Sequence, residues 1–174
     1  MANRAMVLMI VFGLARPSGA TGVTVIRAAQ GAQPAHVHFA LGPEHNWVSL
    51  AVEGAAKRLN HSDCREVLSD FVDSQGQSLS AVLVSRGQTV NEYLHDVWFL
   101  DGSGQHACAR RDTDAFTVPG SRLIFMCPGL FRRPVGRHQE ILVIHEILHT
   151  LGLGENPPSS ESITRHVEKR CGGV

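Results

Sequence analysis

Segment 137–151 constrains the fold of this chain more than any other. Its apolar residues fall on nearly every side of a helix, so the pattern predicts a helix that is buried all round. His145 and His149 are four residues apart and therefore lie one turn above each other on the same face of that helix. Buried imidazoles need partners, and this spacing lets both rings reach a single metal ion.

The residue that follows the first of these histidines adds chemistry to the pair. Glu146 lies where a general base for a metal-held water has to lie. We expect Zn²⁺, with His145 and His149 as two of its ligands. Two ordinary core histidines are the alternative. Elsewhere only His36 and His38 have a ligand-like spacing, and a simple strand or loop pair also explains them.

Composition limits the class of protein. With 174 residues, 43% of them hydrophobic, the chain suits one globular domain with a substantial core. The formal net charge is zero and the isoelectric point is about 7.2, so no electrostatic feature favours nucleic acid or an anionic membrane as partner.

The N-terminal residues have the pattern of a signal peptide. Residues 1–4 carry a positive charge, residues 5–15 are apolar, and small residues follow at 18–20. The apolar run is shorter than the roughly 20 residues of a membrane-spanning helix. We therefore predict a signal peptide over 1–20 and one exported domain over 21–174, with an uncleaved anchor as the alternative. Residues 21–46 are interpreted as an irregular or partly extended leader, or as a pro-segment that masks the metal.

The number and spacing of the four cysteines are consistent with an exported protein. They follow the predicted signal peptide, are even in number and form no C-x-x-C pair, which predicts two disulfides in an oxidising compartment. The three connectivities among them stay open. These residues are Cys64, Cys108, Cys127 and Cys171.

Periodicity and capping signals predict an α+β fold. It comprises a helical N-terminal part, a small β-sheet, the buried active-site helix and a C-terminal helix. The sheet either lies between helical layers or packs one face on the helix that carries His145. The predicted helices are 47–60, a helix from 63 to about 71, 78–85, a turn from 89, 137–151 and one from 159 or 160 to 171, and the predicted strands are 97–100 and 122–127.

Residues 145–155 resemble the zincin metallopeptidases, and specifically the metzincin pattern H-E-x-x-H-x-x-G-x-x-H. Gly152 occupies the position at which the chain leaves the helix, and Glu155 occupies the third-ligand position, where that family has His or sometimes Asp. No methionine follows Met126, so the Met-turn of the metzincins is missing. Residues 151–160 are also similar to a stretch of small secreted bacterial proteins with a zincin motif, a likeness that assigns no substrate.

The resemblance leaves the third ligand open. Glu155 is the first choice, because a carboxylate binds Zn²⁺ at a normal distance. A gluzincin-like site draws this ligand from a later helix, where Glu168 has a similar spacing. His166 as the third ligand, or a site without a third protein ligand, are the further options. Arg165 or His166 is the expected donor to the oxyanion if the last helix folds over the site.

The resemblance implies a secreted zinc-dependent peptidase that hydrolyses a peptide or protein substrate. Zn²⁺ would hold and acidify a water, and Glu146 would take its proton and pass it to the leaving amine. The alternative is a non-catalytic exported binding protein, stapled by disulfides, in which the same ligands form a closed structural zinc site.

Overall fold

The computed structural model describes residues 36–38, 43–132 and 134–174. The predicted signal peptide over 1–20 and most of the leader over 21–46 lie outside these residues. The described chain is a mixed α+β fold in which helices predominate around a small four-stranded sheet, so the predicted fold class is confirmed. Among the described residues, no helix combines the length and the apolar character needed to span a bilayer.

The first helices differ in detail from the prediction. Helix α1 is Pro43–Leu59, so residues 43–46 are helical rather than part of an irregular leader. Proline suits the first helical position, where its missing N–H is not needed. The helix predicted from residue 63 is divided into α2, Ser62–Arg65, and α3, Val67–Asp70. His61 precedes α2, and no side chain caps this helix.

The next two helices begin within one residue of their predicted starts. Helix α4 is Leu79–Ser85, and the Ser78 hydroxyl accepts a backbone N–H of its first turn. Helix α5 is Val90–His95. Thr89 and Glu92 form a reciprocal capping box at its start, as the T-x-x-E pattern predicts.

Four strands from different parts of the chain form one sheet. Its spatial order is β1-β2-β4-β3; β2 is parallel to its two neighbours β1 and β4, and β3 is antiparallel to β4 at one edge. Strands β2 and β4 confirm the two predicted strands within about one residue. The other two have three residues each, too few for a period-two pattern. The strands are β1 His36–His38, β2 Trp98–Asp101, β3 Ala115–Thr117 and β4 Leu123–Met126.

The two faces of the sheet have different surroundings. Phe99 and Ile124 point to the helices and are fully buried, whereas Trp98 and Leu123 on the other face are 39% and 41% exposed. The described residues therefore cover one face of the sheet, and the expectation of strands buried between two helical layers is wrong.

The last two helices are α6, Arg137–Thr150, and α7, Ser160–Cys171. Every residue from Val143 to Thr150 is buried, which confirms the prediction that this helix is enclosed. Helix α6 packs against α1, α7, β3 and β4. The Ser159 hydroxyl caps α7, whose apolar side is buried at Ile163 and Val167.

The four cysteines form two disulfides, as predicted. Such bonds are expected of a chain that folds in an oxidising compartment. The bond Cys64–Cys171 connects α2 to the last residue of α7. The bond Cys108–Cys127 connects the short 3₁₀ helix His106–Ala109 to the residue after β4, and so it restrains the loop that leads into β3.

Candidate metal centre

The two histidines of α6 face each other in the protein interior. Both side chains are buried, and the Nε2 atoms of His145 and His149 lie 3.1 Å apart. One helical turn separates the two residues, so the backbone of α6 alone brings the rings together.

The outer nitrogen of each ring has its own partner. His149 Nδ1 lies 2.7 Å from the carbonyl oxygen of Leu153, and His145 Nδ1 lies 2.9 Å from the hydroxyl oxygen of Thr164 on α7. Metal-binding histidines use such outer contacts to fix the orientation of the ring. Both Nε2 atoms are thereby directed to a common point.

Glu155 reaches the same point from the loop after α6. The chain turns away from the helix at Gly152, whose φ of +114° is a conformation that residues with a side chain rarely adopt. Glu155 Oε1 lies 3.4 Å from His149 Nε2 and 4.0 Å from His145 Nε2. One donor atom from each of the three residues lies within 4.8 Å of the others, so this group could hold a metal ion.

The spacing of these donor atoms fits a small dication. Two ligands of a tetrahedral Zn²⁺ at about 2.0–2.1 Å are roughly 3.3 Å apart. The distances between the three donors are 3.1, 3.4 and 4.0 Å. Two of them are close to the expected value, and the third requires Glu155 to move slightly towards His145.

Glu146 lies beside the group and lacks a partner for one of its oxygens. Its side chain is buried, and Oε2 makes no hydrogen bond to the described residues. Burial, together with the nearby Glu155 carboxylate, raises the pKa of Glu146 to about 8. Burial and the neighbouring His149 lower the pKa of His145 to about 4, so its ring is neutral near pH 7, as metal binding requires.

The group opens onto a cavity of about 620 Å³, within the usual range for small-ligand sites. Its walls include β3, the face of α6 that carries both histidines and Glu146, and the restrained loop before β3. Arg110 and His138 also line it, and His138 Nε2 lies 3.3 Å from Asp114 Oδ2.

Strand β3 offers unpaired backbone groups along this cavity. Cys127 N–H donates to the Asp114 carbonyl, and antiparallel pairs alternate between bonded and non-bonded. By that alternation Phe116 pairs with β4, while the N–H and C=O groups of Ala115 and Thr117 point to the open edge. No other strand covers this edge in the described part of the chain.

Several predicted site residues lie elsewhere. Glu168 is exposed on α7 and is not among the residues that line the cavity. His166 Nε2 lies 2.7 Å from Asp70, and Arg165 pairs with Glu161 on the surface, so the structure does not bring either expected oxyanion donor to the site.

The strand pair His36 and His38 is also outside the cluster. Both rings stack on Trp98, with centroids 4.6 and 4.5 Å from its ring. The metal-ligand interpretation of this pair is not supported by a third donor among the described residues.

Two groups that contact the histidines, the Thr164 hydroxyl and the Leu153 carbonyl, were not predicted from the sequence. Thr164 contacts His145 from another helix, and no spacing rule relates the two positions. The only sequence signal is a hydroxyl residue next to the apolar stripe of α7. The carbonyl of Leu153 is a backbone group, and its role depends on the path of the loop.

The fold and the site together define an α+β protein in which two buried histidines and an exposed glutamate converge at the wall of an open cavity. Comparison of the chain with models of protein families, with curated proteins and with solved structures gives no match.

Proposed function

We propose that this protein is a secreted zinc-dependent metallopeptidase. The observation that carries the proposal is the convergence of donor atoms from His145, His149 and Glu155, beside the buried carboxyl of Glu146 and at the wall of a cavity. The zincin-like motif in residues 145–155 agrees with this reaction class.

The donor set supports zinc as the metal. Two imidazole nitrogens and one carboxylate oxygen are a ligand combination of catalytic zinc sites, which keep one position for water or substrate. Structural zinc sites usually have four protein ligands. The three donors here and the adjoining cavity therefore favour a catalytic site over a closed one.

Bound Zn²⁺ supplies a Lewis acid that acidifies a water and polarises a carbonyl group. Glu146 then acts as the general base, because its unpartnered Oε2 is free to take a proton from the attacking water. The same carboxyl returns the proton to the leaving amine. Burial raises the pKa of this carboxyl to about 8, within about one unit of neutral pH, and a pKa near the working pH suits a group that first takes up a proton and then gives it back.

The open edge of β3 supports an extended peptide as substrate. The free backbone groups of Ala115 and Thr117 can pair with a peptide strand laid along the cavity. Arg110 and His138, on the cavity wall, supply hydrogen-bond donors for peptide carbonyls.

Export is part of the proposal. The two disulfides are expected of a protein from an oxidising compartment. The signal-peptide pattern over residues 1–20 agrees with them.

The substitution Glu146→Gln tests the catalytic role. We expect the purified protein to carry about one Zn²⁺ and to hydrolyse members of a mixed peptide library. Glu146→Gln should keep the metal and lose at least about 10²-fold in rate, since general-base catalysis contributes roughly 10²–10⁴-fold. Glu168→Gln is the matched control, because this glutamate is exposed on α7, and its rate should stay at the wild-type level.

Stoichiometric zinc without turnover of any library peptide would contradict the catalytic half of the proposal. A hydroxamate then separates the alternatives, because it binds only where the metal keeps an exchangeable position. Failure of the hydroxamate to bind would favour the exported binding protein with a structural zinc site.

A further inference from the structure

The two histidines of the metal group differ in how their tautomers are fixed. The partner of His149 Nδ1 is the Leu153 carbonyl, which can only accept a hydrogen bond. The proton of neutral His149 is therefore on Nδ1, and its Nε2 presents a lone pair.

The partner of His145 Nδ1 is a hydroxyl, and a hydroxyl can donate or accept. Two lone pairs facing each other at 3.1 Å would repel, so without metal the proton of His145 is on Nε2 and points to His149 Nε2. In that state the Thr164 hydroxyl donates to Nδ1. Every ring nitrogen then has a hydrogen-bond partner.

A metal ion reverses this arrangement. It needs the lone pair of His145 Nε2, so the ring proton has to move to Nδ1. Thr164 then accepts from Nδ1 instead of donating to it. Because Thr164 also lines the cavity, its own hydroxyl proton can turn towards that space.

Helix α7 is anchored firmly enough to keep Thr164 in place. The disulfide Cys64–Cys171 ties its end to α2, and Ile163 and Val167 are fully buried. The hydroxyl is therefore a fixed partner of the ring.

We propose that Thr164 is a positioning residue whose hydroxyl exchanges donor and acceptor roles, so that His145 can present Nε2 to a metal ion. This inference rests on the proposed metal site. It assigns to α7 a role in metal affinity that the ligand motif itself does not contain.

The test compares three hydroxyl variants in the full mature protein, with Zn²⁺ as the probe. Thr164→Val keeps the shape but removes the hydroxyl, and we expect Zn²⁺ affinity to fall by about 10–100-fold, as for other outer partners of ligating histidines. Thr164→Ser keeps the hydroxyl and should bind nearly as the wild type does. Ser160→Ala removes the other α7 hydroxyl that lines the cavity and should have no effect.

Side-chain ¹⁵N chemical shifts of His145 give a second measurement that needs no variant. We expect the proton on Nε2 in the metal-free wild type and on Nδ1 after Zn²⁺ is added. A metal-free ring that already carries its proton on Nδ1 would overturn the exchange of roles. If Thr164→Val does not fold, this measurement decides the proposal.

The outcomes separate the inference from the proposed function. A wild-type protein that binds no Zn²⁺ overturns the metal site and the inference with it. A wild type that binds Zn²⁺, together with a folded Thr164→Val that binds it equally well, overturns the role of Thr164 and leaves the metal site standing.

Discussion

The two imidazoles of α6 and the carboxylate of Glu155 reach one point in the molecule by different means. His145 and His149 are buried on a single helix, and each Nδ1 has a hydrogen-bond partner. The side chain of Glu155 is 43% exposed, comes from a loop, and has the two rings as its contacts. Packing therefore fixes the positions of the two imidazoles, whereas the carboxylate of Glu155 can change its position.

This difference gives the two parts separate tasks. The two buried imidazoles already hold their ligand atoms in place before a metal binds, which lowers the free-energy cost of ordering the site on binding. An exposed loop carboxylate can close on the metal afterwards, and the distance of 4.0 Å to His145 Nε2 is the part of the geometry that has to change. Changes to the pair should therefore cost more affinity than changes to Glu155.

The largest effect is expected when the fixed pair is broken. His149→Ala removes a direct ligand, so its loss of Zn²⁺ affinity should exceed the 10–100-fold typical of outer partners. Competition with a chromophoric chelator measures it. His138→Ala is the matched control, because this histidine lies on the same helix and lines the same cavity but has Asp114 as its partner. An unchanged affinity in His149→Ala would show that the metal binds elsewhere.

A smaller effect is expected at the adjustable donor. Glu155→Gln keeps the size of the side chain and removes one charge beside the metal, which should weaken Zn²⁺ binding by at least about tenfold. Glu168→Gln, on the exposed side of α7, should bind as the wild type does. The same titration measures both variants.

The reverse result, a loss in Glu168→Gln alone, would mean that the chain rearranges around the metal to a gluzincin-like ligand set. In that case the contrast between a fixed pair and an adjustable Glu155 would be wrong.

Local signals were enough to predict most of the helices and the paired histidines, although they did not predict the division of the second helix into α2 and α3. The spacing of His145 and His149 and the caps at Ser78, Thr89 and Ser159 depend on residues within one helical turn. Such short-range relations do not depend on how the chain folds back on itself. The predicted burial of α6 followed from the same kind of pattern, since apolar residues surround it.

The remaining parts of the site depend on long-range packing. The choice between Glu155 and Glu168 requires the direction of the loop after Gly152, and spacing leaves both open. Thr164 meets His145 because α7 packs on α6, and the pairing Cys64–Cys171 that ties the end of α7 is one of three connectivities the sequence allows. Strand β3, with three residues, has too little pattern to be recognised.

The smallest effect is expected at the anchor between α3 and α7. Asp70 accepts hydrogen bonds from Arg170 at 2.7 and 3.0 Å, its Oδ2 lies 2.7 Å from His166 Nε2, and Glu66 also holds Arg170. Partial burial raises the pKa of Asp70, but the hydrogen bonds from Arg170 and His166 lower it more, so the net pKa is below the usual 3.8. A lowered carboxyl pKa stabilises the fold above the usual value, and this contribution is lost as the pH falls through the lowered value.

Asp70→Asn should therefore lower the urea midpoint at pH 7 by on the order of a few tenths molar, because partly exposed ion pairs contribute little. The difference from the wild type should shrink as the pH falls below about 4. Glu161→Gln, which breaks the exposed pair with Arg165 on the same helix, is the control and should show a smaller change.

Zn²⁺ affinity should hardly change in Asp70→Asn, because the disulfide Cys64–Cys171 and the buried side of α7 still hold Thr164 against His145. A loss of affinity as large as that of Thr164→Val would mean that the surface ion pairs, rather than the buried contacts, keep α7 in position. The pair of imidazoles would then be no better fixed than Glu155, since the partner of one ring would move with an exposed network.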